Sequence, residues 1–210
     1  GASVLRKEDK RFLDGHGRYV ADIVRPLMLE AAIVRSPTAH AEKLSVTKPD
    51  LEQQRVFTGE DMLTDGVKPI HVVSKYPGHK PSDYPHLAIG KLRFVGEAVA
   101  VCLADTRAAA EDLATQTKIS FDPLPAIVDM VGAAESPPAL VHEQWGDNVI
   151  LDSLFEEKAS NLDRATVSVT RTFRMNRQAV NPLEGAAVLA EWDAREERLV
   201  VHSSSQIPHI

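Results

Sequence analysis

The segment RFVGEAVAVCLADTRAAAEDLA, residues 93–114, carries the strongest secondary-structure signal in the chain. Its first half is rich in valine and alanine, which predicts a buried strand over residues 93–103. Gly96 interrupts this run and indicates a bulge or a close approach of another segment. Asp105 and Thr106 make a good helix N-cap, and the alanines and leucine after them predict a helix over residues 105–117 packed beside the strand.

Weaker signals surround this segment. Strands are predicted at residues 27–35, 55–58 and 118–121, and Gly59 starts a possible helical turn. Residues 64–91 contain four prolines among glycines and histidines, which predicts a long surface loop. Strand, helix and strand in close succession favour an α/β unit.

The last third of the chain reads as antiparallel strands. The run GAAESPP, residues 132–138, predicts a linker. Alternating residues 166–173 predict a half-buried strand, which would form a meander with strands at residues 186–193 and 198–203. Since an isolated hairpin is marginally stable in water, we expect the chain to be the front part of a larger protein.

Composition excludes several classes of protein. The net charge is −6 and the isoelectric point is near 5.8, which argues against nucleic-acid binding. No apolar run is long enough to cross a membrane, and the N-terminus has no signal-peptide core. Cys102 is the single cysteine. It therefore cannot form an internal disulfide, hold an iron–sulfur cluster or build a structural zinc site, and it suggests a reducing, cytoplasmic location.

Common catalytic motifs are absent from the sequence. The eight histidines lack zinc-protease spacing, Val20 replaces the third glycine after Gly15 and Gly17, and no serine-hydrolase elbow occurs. Glu184 could act as a general base, although such a carboxylate is usually solvated or caps a backbone amide. Gln206 could donate to a metal-bound oxo group through its neutral amide, but a glutamine after a strand is usually a surface residue.

Several motifs occur in a characteristic order: VRSPTAHA (residues 34–41), FTGEDM (57–62), the 93–114 segment, FDPLPAIVD (121–129), VHEQWGDN (141–148), NPLEGAAVLAEWD (181–193) and SSSQIPH (203–209). Together they resemble the start of the large subunit of xanthine-oxidase-family molybdenum hydroxylases, of the carbon-monoxide-dehydrogenase and aldehyde-oxidase types. The resemblance covers nearly the whole chain. Ala186 departs from it, because many relatives have an arginine there.

The resemblance implies an α+β fold. Residues 1–14 would be an N-terminal extension, and residues 15–131 an α/β hammerhead domain. Residues 132–140 would be a linker, and residues 141–210 the incomplete start of a molybdopterin-binding domain.

The resemblance also implies a cofactor and partners. Gln206 would lie beside the oxo group of a molybdenum–molybdopterin cofactor, whose metal the pterin dithiolene holds. The catalytic glutamate of the family would follow Ile210, so no catalytic or metal-ligating residue is expected in this chain. FAD and 2Fe-2S clusters would belong to a medium flavin subunit and a small iron–sulfur subunit, and the large subunit would form a homodimer.

Two functions therefore remain open. The parent protein would be an enzyme that inserts a water-derived oxygen into a small-molecule substrate, whereas the 210 residues alone would be inactive. Alternatively, the chain is a non-catalytic module that scaffolds partner subunits and lines a substrate channel. A free-standing binding protein is disfavoured because residues 141–210 resemble an incomplete domain. The sequence does not distinguish carbon monoxide, an aldehyde or an N-heterocycle as substrate, nor reveal a copper site.

Overall fold

The structure is a computed structural model that describes residues 2–154 and 166–206. The chain divides into two compact units, one of Leu27–Ser160 and the other of Gly1–Pro26 with Asn161–Ile210. The units group residues differently from the predicted domains at 15–131 and 141–210, whose bounds stay a prediction.

The described residues form four short α-helices and ten strands. The helices are α1 (Asp9–Leu13), α2 (Gly59–Thr64), α3 (Arg107–Gln116) and α4 (Met130–Glu135). The strands are β1 (Glu30–Arg35), β2 (Ala41–Thr47), β3 (Val56–Thr58), β4 (Ile70–Val72), β5 (Ser82–Tyr84), β6 (Lys91–Leu92), β7 (Ala98–Ala104), β8 (Lys118–Pro123), β9 (Val188–Asp193) and β10 (Arg198–Ser203).

One sheet of the larger unit is centred on β7, which pairs antiparallel with β1 on one side and β3 on the other. Val56, Cys102 and Leu113 are buried together where α3 packs on this sheet. Thr106 caps α3, since its hydroxyl accepts from the amide of Ala109 at 3.2 Å. The predicted strand-and-helix pair is therefore confirmed, with the helix starting at Arg107.

The predicted strand over residues 93–103 is wrong at its first five positions. Gly96 has φ of +87°, so residues 93–97 turn instead of extending. The carboxylate of Glu97 closes this turn by accepting from the amide of Arg93 at 2.6 Å. As a result Val95, which the strand prediction buries, is 64% exposed, whereas Val99 is fully buried as expected.

The second sheet of the larger unit has β2 at its centre, antiparallel to β6 and β8. Its core contains Ala41, Leu44, Leu92 and Val99. Because β8 lies in this sheet and not beside β7, the strand–helix–strand succession does not make a parallel α/β unit. The antiparallel sheets with helices agree with the α+β class.

The predicted surface loop over residues 64–91 is also partly wrong. It contains β4 and β5, which pair antiparallel with Ile70 opposite Tyr84. Leu87 and Ala88 near its end are buried. A strand of three residues is too short to show the alternation of apolar and polar residues that predicts a strand. The surrounding prolines therefore led to the prediction of a loop.

The predicted linker at residues 132–138 begins inside a helix. The carboxylate of Asp129 accepts from the amide of Gly132 at 2.8 Å and caps α4. The sequence did not predict this helix, because the glycine and two prolines of residues 132–138 indicated a linker more strongly than Asp129 indicated a helix N-cap.

The smaller unit contains α1, a 3-10 turn at Val20–Asp22 and the hairpin of β9 and β10. The hairpin prediction is confirmed, with Trp192 opposite Leu199. The predicted strand at residues 166–173 is wrong, as is the meander, because these residues have no regular structure and Phe173 is 87% exposed. Alternation alone cannot make a strand when no described strand lies beside it.

Candidate functional site

The hairpin end is held by the side chain of Ser204. Its hydroxyl accepts from the amide of Ala187 at 2.9 Å and donates to the carbonyl of Gly185 at 3.1 Å. The amide of Ser204 donates to the carbonyl of Ala187 at 3.2 Å. The two chain segments thus stay bonded one residue beyond the last strand residue, Ser203. We call this set of bonds between Ser204 and residues 185–187 the serine clasp.

Gln206 lies two residues beyond the serine clasp. It is exposed, and we find no hydrogen-bond partner for its amide among the residues that the structure describes. A primary amide is neutral at every working pH and carries two N–H donors. Its position therefore leaves a neutral donor ready for an acceptor oxygen. Residues 207–209 of the SSSQIPH motif lie outside the described residues.

Glu184 caps a backbone amide, as the more common behaviour of such a carboxylate predicts. Its Oε1 accepts from the amide of Val20 at 3.1 Å, at the start of the 3-10 turn. A carboxylate engaged in this way positions the N-terminal segment against the strand start. The structure gives its alternative role as a general base no support.

An open cavity of about 640 Å³ lies between the N-terminal segment and the hairpin of the smaller unit. Arg11, Arg18 and Arg25 line it together with Glu184. Arg25 pairs with Glu191 at 3.2 Å, and Arg11 pairs with Glu8 at 3.4 Å. Two of the three arginines are thus already paired with carboxylates, and these ion pairs lie at the edge of the cavity.

Protein-derived metal ligands do not cluster within residues 2–154 and 166–206: no three histidine, cysteine or acidic side chains meet there. Cys102 is buried, and its Sγ lies 3.6 Å from the hydroxyl of Thr117. Burial raises the pKa of this thiol, which keeps it protonated. Cys102 is therefore a small core residue, as expected.

A second polar cluster, which sequence reasoning missed, lies in the larger unit. Lys91 is only 8% exposed, and it donates to the Glu143 carboxylate and to the Leu140 carbonyl, the latter at 2.9 Å. The hydrogen bond from Lys91 lowers the pKa of Glu143. His142 stacks on Trp145 with ring centroids 4.1 Å apart. The motif VHEQWGDN was the sequence feature that could have revealed this cluster. Its contacts with Lys91 anchor residues 140–145 to β6.

Burial acts on two further titratable groups of this cluster. Desolvation lowers the pKa of His142, and the nearby charges of Arg93 and Lys91 lower it further. Desolvation raises the pKa of Glu97, against the hydrogen bond from the amide of Arg93. Both groups have structural contacts in the larger unit, where Glu97 closes the turn at Gly96 and His142 stacks on Trp145.

The VRSPTAHA motif has a structural role in the same unit. His40 is 2% exposed and its Nδ1 lies 2.8 Å from the carbonyl of Pro125. The hydroxyl of Ser36 donates to the carbonyl of Thr38 at 2.7 Å. Both contacts fix the connection from β1 to β2.

Comparison with known families gives two matches in series. Residues 14–125 match the family described as "Aldehyde oxidase and xanthine dehydrogenase, a/b hammerhead domain". Residues 141–210 match the molybdopterin cofactor-binding domain.

Similar curated proteins include the nicotine 6-hydroxylase large subunit of Paenarthrobacter nicotinovorans, which is 30% identical over 100% of this chain and 26% of its own length. The carbon monoxide dehydrogenase large chain of Hydrogenophaga pseudoflava is 29% identical over 97% of this chain and 27% of its own length. The chain thus spans about a quarter of the length of these relatives.

A similar solved structure is the quinoline 2-oxidoreductase of Pseudomonas putida 86. It has a TM-score of 0.86 and 32% identity, and the match covers 98% of this chain and 27% of that one. In the part of the chain that the structure describes, no helix is long and apolar enough to span a membrane.

Proposed function

The chain belongs to the aldehyde oxidase and xanthine dehydrogenase family of molybdenum hydroxylases, carrying its hammerhead and molybdopterin-binding sequences, and from this we propose an enzymatic role. The complete protein uses a molybdenum–molybdopterin cofactor to insert a water-derived oxygen into a small-molecule substrate. The observation that carries the proposal is the match of residues 141–210 to the cofactor-binding domain, a range that includes the exposed Gln206, for which we find no hydrogen-bond partner among the described residues.

The donor set of the described residues suits such a cofactor. Its metal is held by the pterin dithiolene, so the protein must supply hydrogen-bond donors in place of thiolate ligands. Gln206 offers a neutral donor of this kind. When bound, the cofactor supplies the metal centre at which the substrate is oxidised. Gln206 would donate through its side-chain amide to an oxygen atom of the cofactor, and the serine clasp holds the backbone that carries Gln206.

We propose that electrons leave through FAD and 2Fe-2S clusters on a medium and a small subunit. Support comes from relatives described as a "large subunit", a "large chain" and a "complex subunit gamma", which are words for parts of multi-subunit enzymes. The same proposal includes a homodimer of the large subunit and a reducing, cytoplasmic compartment.

For the substrate we favour an aromatic N-heterocycle over carbon monoxide. The relatives that share 30% and 32% identity with this chain carry the names nicotine 6-hydroxylase and quinoline 2-oxidoreductase. The carbon monoxide dehydrogenase large chains compared are 26–29% identical.

The test is to purify the complete protein with its partner subunits and measure molybdenum per large subunit. Oxidation of quinoline, nicotine, an aldehyde and carbon monoxide is then assayed in ¹⁸O-labelled water. Stoichiometric molybdenum and ¹⁸O in a hydroxylated heterocycle are expected. A complex that contains the subunits but no molybdenum would instead support the non-catalytic scaffold.

A further inference from the structure

We propose that Ser204 is a positioning residue, which acts by fixing the backbone that carries Gln206. This inference rests on the proposed function, in which Gln206 donates to the cofactor. It adds a residue that itself touches neither cofactor nor substrate.

The first argument is the geometry of the serine clasp. Strand pairing ends with Ser203 opposite Val188. Beyond that pair, the Ser204 hydroxyl accepts at 2.9 Å from the amide of Ala187 and donates at 3.1 Å to the carbonyl of Gly185. One side chain thus satisfies a donor and an acceptor of the opposite segment, and only one residue separates it from Gln206.

The second argument is that the clasp has a fixed partner. Gly185 follows Glu184, whose carboxylate accepts from the amide of Val20 at 3.1 Å. Residues 185–187, to which Ser204 bonds, are therefore next to a residue that is itself bonded to the N-terminal segment, 164 positions away in sequence. If Glu184 did not bond to Val20, the Ser204 hydroxyl would connect two mobile strand ends and would not restrict the position of Gln206.

The third argument concerns freedom of the backbone. Loss of the Ser204 hydroxyl removes its bonds to Gly185 and Ala187, while the backbone bond from the Ser204 amide to the Ala187 carbonyl, at 3.2 Å, remains. With fewer bonds to the opposite segment, residues 204–206 gain freedom. Each freed residue regains backbone entropy, so the amide of Gln206 samples positions away from its acceptor. A donor displaced by about 1 Å loses much of its effect on a reaction.

The kinetic test uses the complete enzyme and compares Ser204→Ala, Ser204→Thr, Gln206→Ala and the Ser204→Ala/Gln206→Ala double variant. Ser168→Ala is the matched control, because this serine is exposed in the same unit and has no described hydrogen bond. With rates divided by molybdenum content, Ser204→Ala lowers kcat by about three- to tenfold, the factor expected when the one hydrogen bond from Gln206 is weakened, and leaves KM unchanged. Ser204→Thr, which keeps the hydroxyl, restores kcat.

The double variant separates positioning from general stability. If Ser204 acts through Gln206, adding Ser204→Ala to Gln206→Ala lowers kcat no further. If Ser204→Ala lowers kcat by the same factor in the wild type and in Gln206→Ala, the proposal is overturned. If Gln206→Ala alone leaves kcat unchanged, the role of Gln206 in the proposed function fails, a result distinct from a silent Ser204→Ala beside an impaired Gln206→Ala.

A second readout does not depend on activity. Amide hydrogen exchange at Ala187, resolved by mass spectrometry on the complete enzyme, accelerates in Ser204→Ala and stays slow in Ser168→Ala. If Ser204→Ala fails to fold, Ser204→Cys replaces it, because its thiol fills the site but bonds weakly. Unchanged exchange at Ala187 in the folded variant overturns the clasp as the means of positioning.

Discussion

Lys91 and Glu143 form an ion pair across 52 positions of sequence, with the lysine buried and the glutamate largely exposed. The pair joins β6 to the segment after α4, and the Lys91 ammonium also donates to the carbonyl of Leu140 at 2.9 Å. A buried ammonium needs such partners, because desolvating an unpaired charge is costly.

Glu143→Gln is expected to lower the free energy of unfolding by about 1–2 kcal/mol, since the Lys91 ammonium then loses its charged partner. Urea titration measures the change. In a Lys91→Met background, where no ammonium is buried, the same substitution costs much less. Equal costs in both backgrounds would show that the pair contributes nothing.

Stability should fall on acidification because two lysine–carboxylate contacts, Lys91 with Glu143 and Lys80 with Asp147, are weakened. Hydrogen bonds from Lys91 and Lys80 lower the pKa values of Glu143 and Asp147 in the folded chain. Each carboxylate thus stabilises the fold fully above its unfolded pKa, about 4.3 for Glu and 3.9 for Asp. That contribution is lost as the pH falls through the lower folded pKa.

Thermal unfolding between about pH 6 and pH 3 checks this direction, since both unfolded pKa values lie in that interval. Glu143→Gln lacks one of the titrating groups, so its unfolding temperature should fall less over this range than that of the wild type. Parallel curves for the two proteins would contradict the prediction.

Two glycines should respond differently to alanine. A Cβ at Gly59 would lie 2.4 Å from the Ile89 side chain and 2.7 Å from the Leu87 carbonyl. Gly59→Ala therefore overpacks the core and should cost about 1–3 kcal/mol or more. At Gly96 the Cβ meets open space but φ is +87°, so Gly96→Ala should cost only about 1–2 kcal/mol of backbone strain. Chemical denaturation measures the free energy of unfolding of both variants. A smaller decrease for Gly59→Ala than for Gly96→Ala would refute the overpacking argument.

Local signals predicted much of this fold. The cap at Thr106, the helix after it and the β9–β10 hairpin depend on neighbouring residues, and all three were found. The order of the motifs identified the family, which periodicity alone could not do.

Long-range contacts explain what the sequence did not reveal. Lys91 sits in a stretch rich in proline and glycine that predicts exposure, and its partner lies 52 positions later. Similarly, Glu184 meets the amide of Val20 across 164 positions. The positive φ of Gly96 was compatible with a bulge inside a strand, and only the Glu97 carboxylate closing back on Arg93 makes it a turn.

The 210 residues alone should contain no molybdenum cofactor and turn over no substrate. They span about a quarter of the length of the curated relatives, and among the described residues Gln206 is the single cofactor contact that we propose. Elemental analysis of the purified chain, with the complete enzyme as positive control, measures this. Molybdenum in a one-to-one ratio with the 210-residue chain would contradict it.

Gln206 provides the most direct test of the proposed function. In the complete enzyme, Gln206→Ala should slow turnover by about ten- to a hundredfold, because about 1.4 kcal/mol of lost transition-state stabilisation corresponds to each factor of ten. Gln206→Glu should be slower still, because it replaces a neutral donor with an anion that repels the electron-rich oxygen it faces. Ser168→Ala serves as the control, and steady-state kinetics at equal molybdenum content measure all three. Unchanged kcat and KM in Gln206→Ala would show that Gln206 is only the residue that follows a strand.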